Sequence, residues 1–390
     1  MPPGDPGRDL LEQPAVAIGA LGRVKLADVS RVLDGVVPGI VDAHIHQWDP
    51  FTTPREGSRV ARAYKRAPGL VERIFPLLAG QANREGLVTA RHVLRPYLPA
   101  DYATDVRDVP AAVGAPVEAL IHVEASWHGP DPADETRWVE ALPFGEDGTP
   151  RLAAIVGHAD PRAADFAATL DAHRAASERF RGIRCMAAWH PDPKVRNWSD
   201  GPGILRAPEF LRGFAALAER ELTFDAYVYS HQLRDVRVLA EEYPDTTIVL
   251  DHFAPLVGWL GPMGRATGQT DAERAEIFSH WQNALAALAE HRNVVAKLSG
   301  FAFPALGLQE ARIGRAALAE LAAPLIDHTV DSFGGDRVIW GSNFPMDKAI
   351  STYVDVAGAL ADVLAPRGPD LLARVFRANA LRAYRLARAE

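Results

Sequence analysis

From Val36 onward, short runs rich in β-branched and apolar residues recur along the chain, and stretches with helical spacing separate most of them. The runs are GIVDAHIH, ALIHVEA, LAAIVGHAD, GIRCMAAW, LTFDAYVY, TTIVLDHF, NVVAKLSG and RVIWGSN, about eight candidate strands. Between them lie DFAATLDAHRAASERF, PEFLRGFAALAERE, QLRDVRVLAEEY and AEIFSHWQNALAALAEH, whose apolar residues repeat with a helical period. Such alternation implies parallel strands, because only a long crossover returns the chain to the same sheet edge in the same sense. Eight units of this kind close an α/β fold into a (β/α)8 TIM barrel. An open doubly wound sheet is the runner-up, yet no Gly-x-Gly-x-x-Gly turn follows the first run, so no dinucleotide site is indicated.

The 390 residues would suggest two or three domains at ~150 residues each, but α/β barrels often exceed that length as one unit. We therefore divide the chain into an irregular Pro- and Gly-rich arm (1–35) and one barrel domain (36–390). Helix ends are marked locally: Ala207-Pro208-Glu209 suits a helix start, and Gly334-Gly335 follows the helix before the last strand. Two long connections break the repeat. Residues 47–115 hold YKRAPGLVERIFPLLAG and TARHVLRPYLPADYATDV, which read as an inserted helical lid segment. The Gly-rich residues 254–272 read as a mobile loop. Long loops in compact domains tend to bind or to cover.

Acidic residues outnumber basic ones, 50 to 42, for a formal charge of −8, and no block of like charge interrupts the mixture. That argues against nucleic acid and anionic membranes as partners. Cys185 is the single cysteine, and there is no apolar leader or run of ~18 apolar residues. The expectation is a soluble cytoplasmic protein with a small-molecule substrate, for which a homo-oligomer is an open option.

The chain carries 13 histidines, and several fall at predicted strand ends. In a barrel the C-terminal strand ends surround the active site, and residues two apart on a strand face the same way. Asp42, His44 and His46 are thus expected on one face of the first strand. His122 and Glu124 repeat the spacing on the second, His158 ends the third, and His252 beside Asp251 ends the sixth. Neutral imidazoles can converge on a divalent metal, normally zinc, or on an anionic oxygen. Any one of these residues could instead be a hydrogen-bonded core or rim histidine; several at corresponding ends are harder to read that way.

VDAHIHQWDP, RGIRCMAAWHP, the block from TFDAYVYSHQ to VLDHFAP, VVAKLSGF, GGDRVIWGSNFPMDK and FRANALRAYRL together resemble the amidohydrolase superfamily. The likeness is greatest to its amidohydrolase-2 branch of barrel hydrolases, which includes sugar-lactone and pyrone-dicarboxylate lactonases. The resemblance implies that His44, His46 and His252 hold a metal or polarise a carbonyl directly, and that Arg184 meets a substrate anion or carbonyl. It also makes Tyr229 and His231 candidates for substrate contact, with Gln232 beside them, although His231 could equally cap the following helix. Trp48, Trp127 and Trp189 follow strand ends and could wall a pocket. Lys297 reads as a brace for a neighbouring carboxylate, and Cys185 as a small core residue.

The departure from the family pattern lies at the last strand, where an aspartate ordinarily binds metal and takes the proton of the attacking water. This chain has Asn343, whose carboxamide can orient a water but cannot accept its proton near neutrality. Glu124, Asp347 and His252 are the candidate replacements; otherwise the substrate supplies the base, or the reaction needs no activated water. The expected activity is hydrolysis of a small anionic lactone or cyclic ester. A metal-dependent decarboxylase of aromatic or muconate-like acids, and a non-catalytic small-molecule binder, are the alternatives.

Overall fold

The computed structural model describes residues 31–87, 91–308 and 312–386. Each predicted run contains a strand: β1 (Ile40–Ile45), β2 (Val117–Val123), β3 (Arg151–His158), β4 (Phe180–Met186), β5 (Thr223–Tyr227), β6 (Ile248–Leu250), β7 (Val294–Leu298) and β8 (Val338–Trp340). They form one parallel sheet in sequence order. β8 is short, and the residues after it bring the ends together. Asn343 N donates to His44 O at 2.9 Å, and His46 N donates to Phe344 O at 2.8 Å. A parallel bridge between Ile45 and Phe344 completes a TIM barrel.

Helices occupy the connections: α1 (Ser58–Arg66), α2 (Pro68–Leu78), α3 (Gln81–Leu87), α4 (Pro99–Val106) and α5 (Val109–Val113) before β2, α6 (Ala133–Glu140) before β3, and α7 (Phe166–Ala176) before β4. Then come α8 (Pro208–Glu219), α9 (Leu233–Glu242), α10 (Asp271–Ala289), α11 (Arg315–Phe333) and α12 (Tyr353–Leu364). The two local end signals operate as read. Pro208 occupies the first turn of α8 with Glu209, and Gly334 ends α11 at φ 73°, a backbone state that glycine adopts without a Cβ penalty. Among the described residues no helix is long and apolar enough to cross a membrane.

The segment after β1 is helical as expected, with α1 to α5 inside it, but the two long connections differ from expectation in detail. In the segment after β1, the stretch from Arg91 to Leu98 is not helical; α4 begins only at Pro99, where Asp101 accepts the Leu98 N–H at 2.9 Å. The proline ring disfavours helical backbone at the residue before it and suits the first helical position. The 254–272 loop, read as mobile, is stapled down instead. One Asp192 oxygen accepts the Arg265 and Ala266 N–H groups, both at 2.7 Å, and Leu260 N donates to Leu306 O at 2.7 Å. Of the 1–35 arm, residues 1–30 lie outside the described residues; Leu33 is buried, and its N–H donates to Val113 O.

Candidate active site

A cavity of about 230 Å³ opens at the C-terminal mouth of the barrel. His46, Glu124, Arg184, Tyr227, His252 and Asn343 border it from the strand ends, while Trp48, Arg55 and Leu94 cover it from the segment after β1. Arg196 and Trp198, in the connection after β4, complete the wall. None of the residues from 254 to 272 borders it.

The first-strand motif is divided by a β-bulge. Register is lost between Asp42 and Ile45, so Asp42 does not share a face with His44 as its spacing predicted. Its carboxylate accepts the hydroxyls of Tyr102 on α4 (2.8 Å) and Tyr353 on α12 (2.9 Å), and also the Ser342 N–H (2.9 Å). His44 and His46 do converge, with their Nε2 atoms 3.2 Å apart. His46 Nδ1 donates to the Val123 carbonyl at 2.8 Å, and since a carbonyl only accepts, His46 Nε2 is left with its lone pair.

Beneath them lies a buried charge cluster. Lys297 Nζ contacts Asp225, stands 3.1 Å from Asp251 Oδ1 and 3.1 Å from His44 Nδ1. Tyr384 donates its hydroxyl to Asp225 at 2.8 Å. One ammonium thus serves two carboxylates, which respond differently. Burial, with the Asp251 charge behind it, pushes Asp225 up to about 6 despite Lys297. Burial also opposes the charge on Asp251, but Lys297 and His44 overcome it and hold that carboxyl well below the usual range. Lys297 therefore braces carboxylates, as read from its strand position.

His252 lies two residues past β6 with φ 55°, and its Nδ1 pairs with Ser299 Oγ at 2.8 Å. Burial pushes it down to about 3 and, aided by nearby cations, holds His44 and His46 well below the ordinary imidazole value. All three rings are thus neutral near pH 7, the form that ligates metal or accepts a proton.

Arg184 Nε donates to Glu124 Oε1 at 2.8 Å and Nη2 to the Glu124 carbonyl at 2.8 Å; Nη1, 3.8 Å from Asp251 Oδ2, is its remaining donor. Burial alone would raise Glu124, but Arg184 and the Ser126 N–H bring it down to about 2, and these same two donors occupy its Oε1 and Oε2, so neither oxygen is open to a water's proton. Asn343 Nδ2 donates to Asp347 Oδ1 at 2.7 Å, which leaves its Oδ1 for a ligand in the cavity.

Asp347 lies behind Asn343, and burial pushes it up to about 8 against the hydrogen bonds from Asn343 and Ala302. From about pH 4 to pH 8 the folded protein then keeps a proton that the unfolded chain releases, so this group's contribution falls with rising pH by up to ~1.4 kcal/mol per unit. Asp347→Asn is expected to flatten that slope in denaturant unfolding at pH 5 to 8. A parent–variant difference constant across this range would mean that Asp347 is ionised in the fold.

Several predicted residues lie elsewhere. His122 faces outward between β1 and α6: its Nδ1 accepts the Gln47 N–H at 3.2 Å, and its Nε2 is 3.7 Å from Glu135. Val123, not His122, shares the inward face with Ile121. Tyr229 packs away from the cavity with Val195, Val257 and Met263, its hydroxyl donating to Arg196 O at 2.6 Å. His231 packs edge-on against His190 at 5.2 Å; Gln232 closes that turn by accepting the Trp189 and Tyr229 N–H groups. Trp127 and Trp189 do not border the cavity, whereas Trp48 does. His158 accepts from His173 through its backbone carbonyl.

Tyr227 was missed, although parity could have found it. It pairs in register with Met186 as Asp225 does with Arg184, so the fifth strand presents Asp225 and Tyr227, not Tyr229, to the interior. Arg55 and Arg196 come from loops without a period and carried no such signal.

A family profile described as amidohydrolase matches residues 41–386. The chain belongs to the amidohydrolase family. This amidohydrolase is 27% identical over 347 residues to a Sinorhizobium fredii protein designated "Uncharacterized protein y4mH", an alignment covering 89% of the chain and 98% of the relative. It is 32% identical over 266 residues to a Burkholderia ambifaria protein named L-fucono-1,5-lactonase, covering 64% and 79%. Its fold matches a Burkholderia multivorans amidohydrolase crystallised with bound zinc, at TM-score 0.62 and 23% identity over 90% of this chain and all of the other.

Whether the residues of this amidohydrolase suit a metal can be tested on their donors. His44, Asp251 and His252 offer ligand atoms within 4.8 Å of one another. Among the described residues neither Asp251 oxygen makes a well-aligned hydrogen bond, although Lys297 Nζ and His44 Nδ1 stand 3.1 and 3.3 Å from its Oδ1. The 3.2 Å between His44 Nε2 and His46 Nε2 is close to the ~3.3 Å edge of a tetrahedron with Zn–N bonds of ~2.0–2.1 Å. The donor set fits a divalent ion.

Proposed function

We propose that this amidohydrolase adds water across the ring ester of a small, anionic lactone. The observation that carries the reading is the convergence of neutral His46 and His252, Arg184 and Asn343 on one cavity at the strand ends. The L-fucono-1,5-lactonase name of a 32% identical relative supports it. His44, Asp251 and His252, with His46 opposite His44, are the residues that would hold a divalent ion such as zinc, which when bound supplies Lewis-acid polarisation of the carbonyl.

The chain's own groups account for the remaining requirements. Arg184 Nη1 offers a fixed positive donor to the oxygen that gains charge as water attacks the carbonyl carbon, and Glu124 holds the guanidinium in place. Asn343 Oδ1 accepts from the attacking water and orients it. Of the three candidate proton acceptors, Glu124 is held at about 2 and Asp347 stands behind Asn343. His252 borders the cavity as a neutral imidazole with its Nδ1 occupied by Ser299; its Nε2 takes the water's proton when no ion is bound and would instead be a ligand when one is. As the ring C–O bond breaks, the proton taken from water is returned to the leaving alkoxide, giving a hydroxy acid.

Lactone panels followed by acid release and carbon dioxide release test this reading. The expected result is acid release without carbon dioxide, reduced ~10²–10⁴-fold in His252→Ala. Carbon dioxide from a carboxylated aromatic would replace hydrolysis by decarboxylation, and ligand recovered unchanged across the panel would leave a binding protein.

A further inference from the structure

The charges bordering the cavity do not cancel. Arg196 Nη2 donates to both oxygens of Glu56, at 2.7 and 2.6 Å, and its Nη1 to Asn83. Arg184 is paired with Glu124. The third guanidinium, Arg55, makes no ion pair within 4 Å and no side-chain hydrogen bond among the described residues, and its Nε and Nη1 are buried without a partner. Taking a cation out of water without a counter-charge in contact is costly, and a ligand carboxylate would offset that cost here.

Arg55 is also held in position. Its backbone bridges to Trp127, its N–H donates to Ser58 Oγ at 3.0 Å, and its guanidinium lies 4.2 Å over the Trp48 ring. Trp48 is fixed in turn by its indole N–H to the Arg95 carbonyl at 2.8 Å, and it stacks on His46 at 6.4 Å. One aromatic ring thus carries the unpaired cation and touches the histidine site. Burial pushes Arg55 down only to about 10, so it stays charged at neutral pH. Glu135 is the carboxylate acting most strongly on it, ahead of Glu56 and Glu124. Glu135 Oε1 accepts the Ala125 N–H at 2.7 Å and its Oε2 is buried without a hydrogen bond among the described residues, yet no ion pair within 4 Å joins Glu135 to Arg55.

We propose that Arg55, projecting from the segment after β1, is a specificity-determining anion subsite that pairs with a carboxylate on the ring substrate. The inference rests on the lactonase reading for what is transformed, and on Arg55 itself for which lactones are chosen: those bearing a carboxylate. A guanidinium gives a carboxylate parallel N–H bonds that a neutral hydroxymethyl group cannot replace.

Calorimetry with tetrahydrofuran-2-carboxylate, a ring acid that cannot be hydrolysed, and with neutral tetrahydrofurfuryl alcohol tests the subsite without turnover. The parent is expected to prefer the acid, and Arg55→Met, which keeps the stem over Trp48, to lower that preference at least tenfold; Arg55→Lys should fall between. Equal preference in parent and Arg55→Met would overturn the proposal. So would a stability loss in Arg55→Met that is non-additive with Glu135→Gln while acid affinity is retained, since Arg55 would then be a structural partner of Glu135. Arg55-dependent acid binding in a protein that opens no lactone keeps the subsite and removes the lactonase reading. Lactone turnover with no carboxylate preference does the reverse.

Discussion

Lys297→Met is expected to lower unfolding free energy by ~3–5 kcal/mol in urea denaturation at pH 7, because removing one partner of a buried pair strands the charge of the other. The loss sits at the upper end of that range for a structural reason. Lys297 is fully buried and is the shared cation of Asp225 and Asp251, so its removal leaves two carboxylates in one apolar layer of the barrel. Methionine fills much of the volume, so the effect reports charge more than packing. Adding Asp225→Asn to Lys297→Met should recover part of the loss, since it removes one of the two stranded carboxylates and an amide oxygen can still accept from Tyr384. A Lys297→Met protein as stable as its parent would mean that the cluster shares its charge in some other way.

Gly300→Ala is expected to cost ~2–4 kcal/mol of stability, combining the positive-φ penalty of an L residue with overpacking of a filled site. Gly300 has φ 70°, and a Cβ there would lie 2.8 Å from both Cβ and Cγ of His252. No flexible side-chain end absorbs the clash, because His252 is itself held at positive φ and tied to Ser299. The ring must therefore move, and lactone turnover should fall with it, by at least tenfold. Unfolding curves and turnover measured on the same preparation check both parts. A fully active, undestabilised Gly300→Ala protein would show that the 298–303 turn yields freely and that His252 is not rigidly placed.

The strands were legible because each combines β-branched residues with clear flanking breaks, and helical periodicity filled most gaps between them. His44, His46, His252, Glu124, Arg184, Asn343 and Trp48 could be placed at the cavity or against it for the same reason: they lie at or just past strand ends, where the barrel's geometry brings separate elements together. Counting by twos failed at Asp42, because a bulge inserts a residue into the ladder and reverses the parity beyond it. It failed at His122 because the inward face of β2 is fixed by its neighbours, and at Tyr229 because β5 ends at Tyr227 and the pleat does not continue past it. Val123 and Tyr227 hold the inward positions there, as the register with β3 and β4 shows.

By itself, then, the sequence determined an eight-unit parallel barrel, its family, and a histidine-rich mouth lacking the last-strand carboxylate. Those properties follow from local periodicity and from residue types at strand ends. Tertiary structure alone decided the Lys297–Asp225–Asp251 cluster, the suppression of Glu124 as a base by Arg184, and the unpaired Arg55 over Trp48. Each depends on how charges from distant segments divide among one another in a low-dielectric interior, where a contact of about 3 Å changes which proton is held. No spacing along the chain encodes that division.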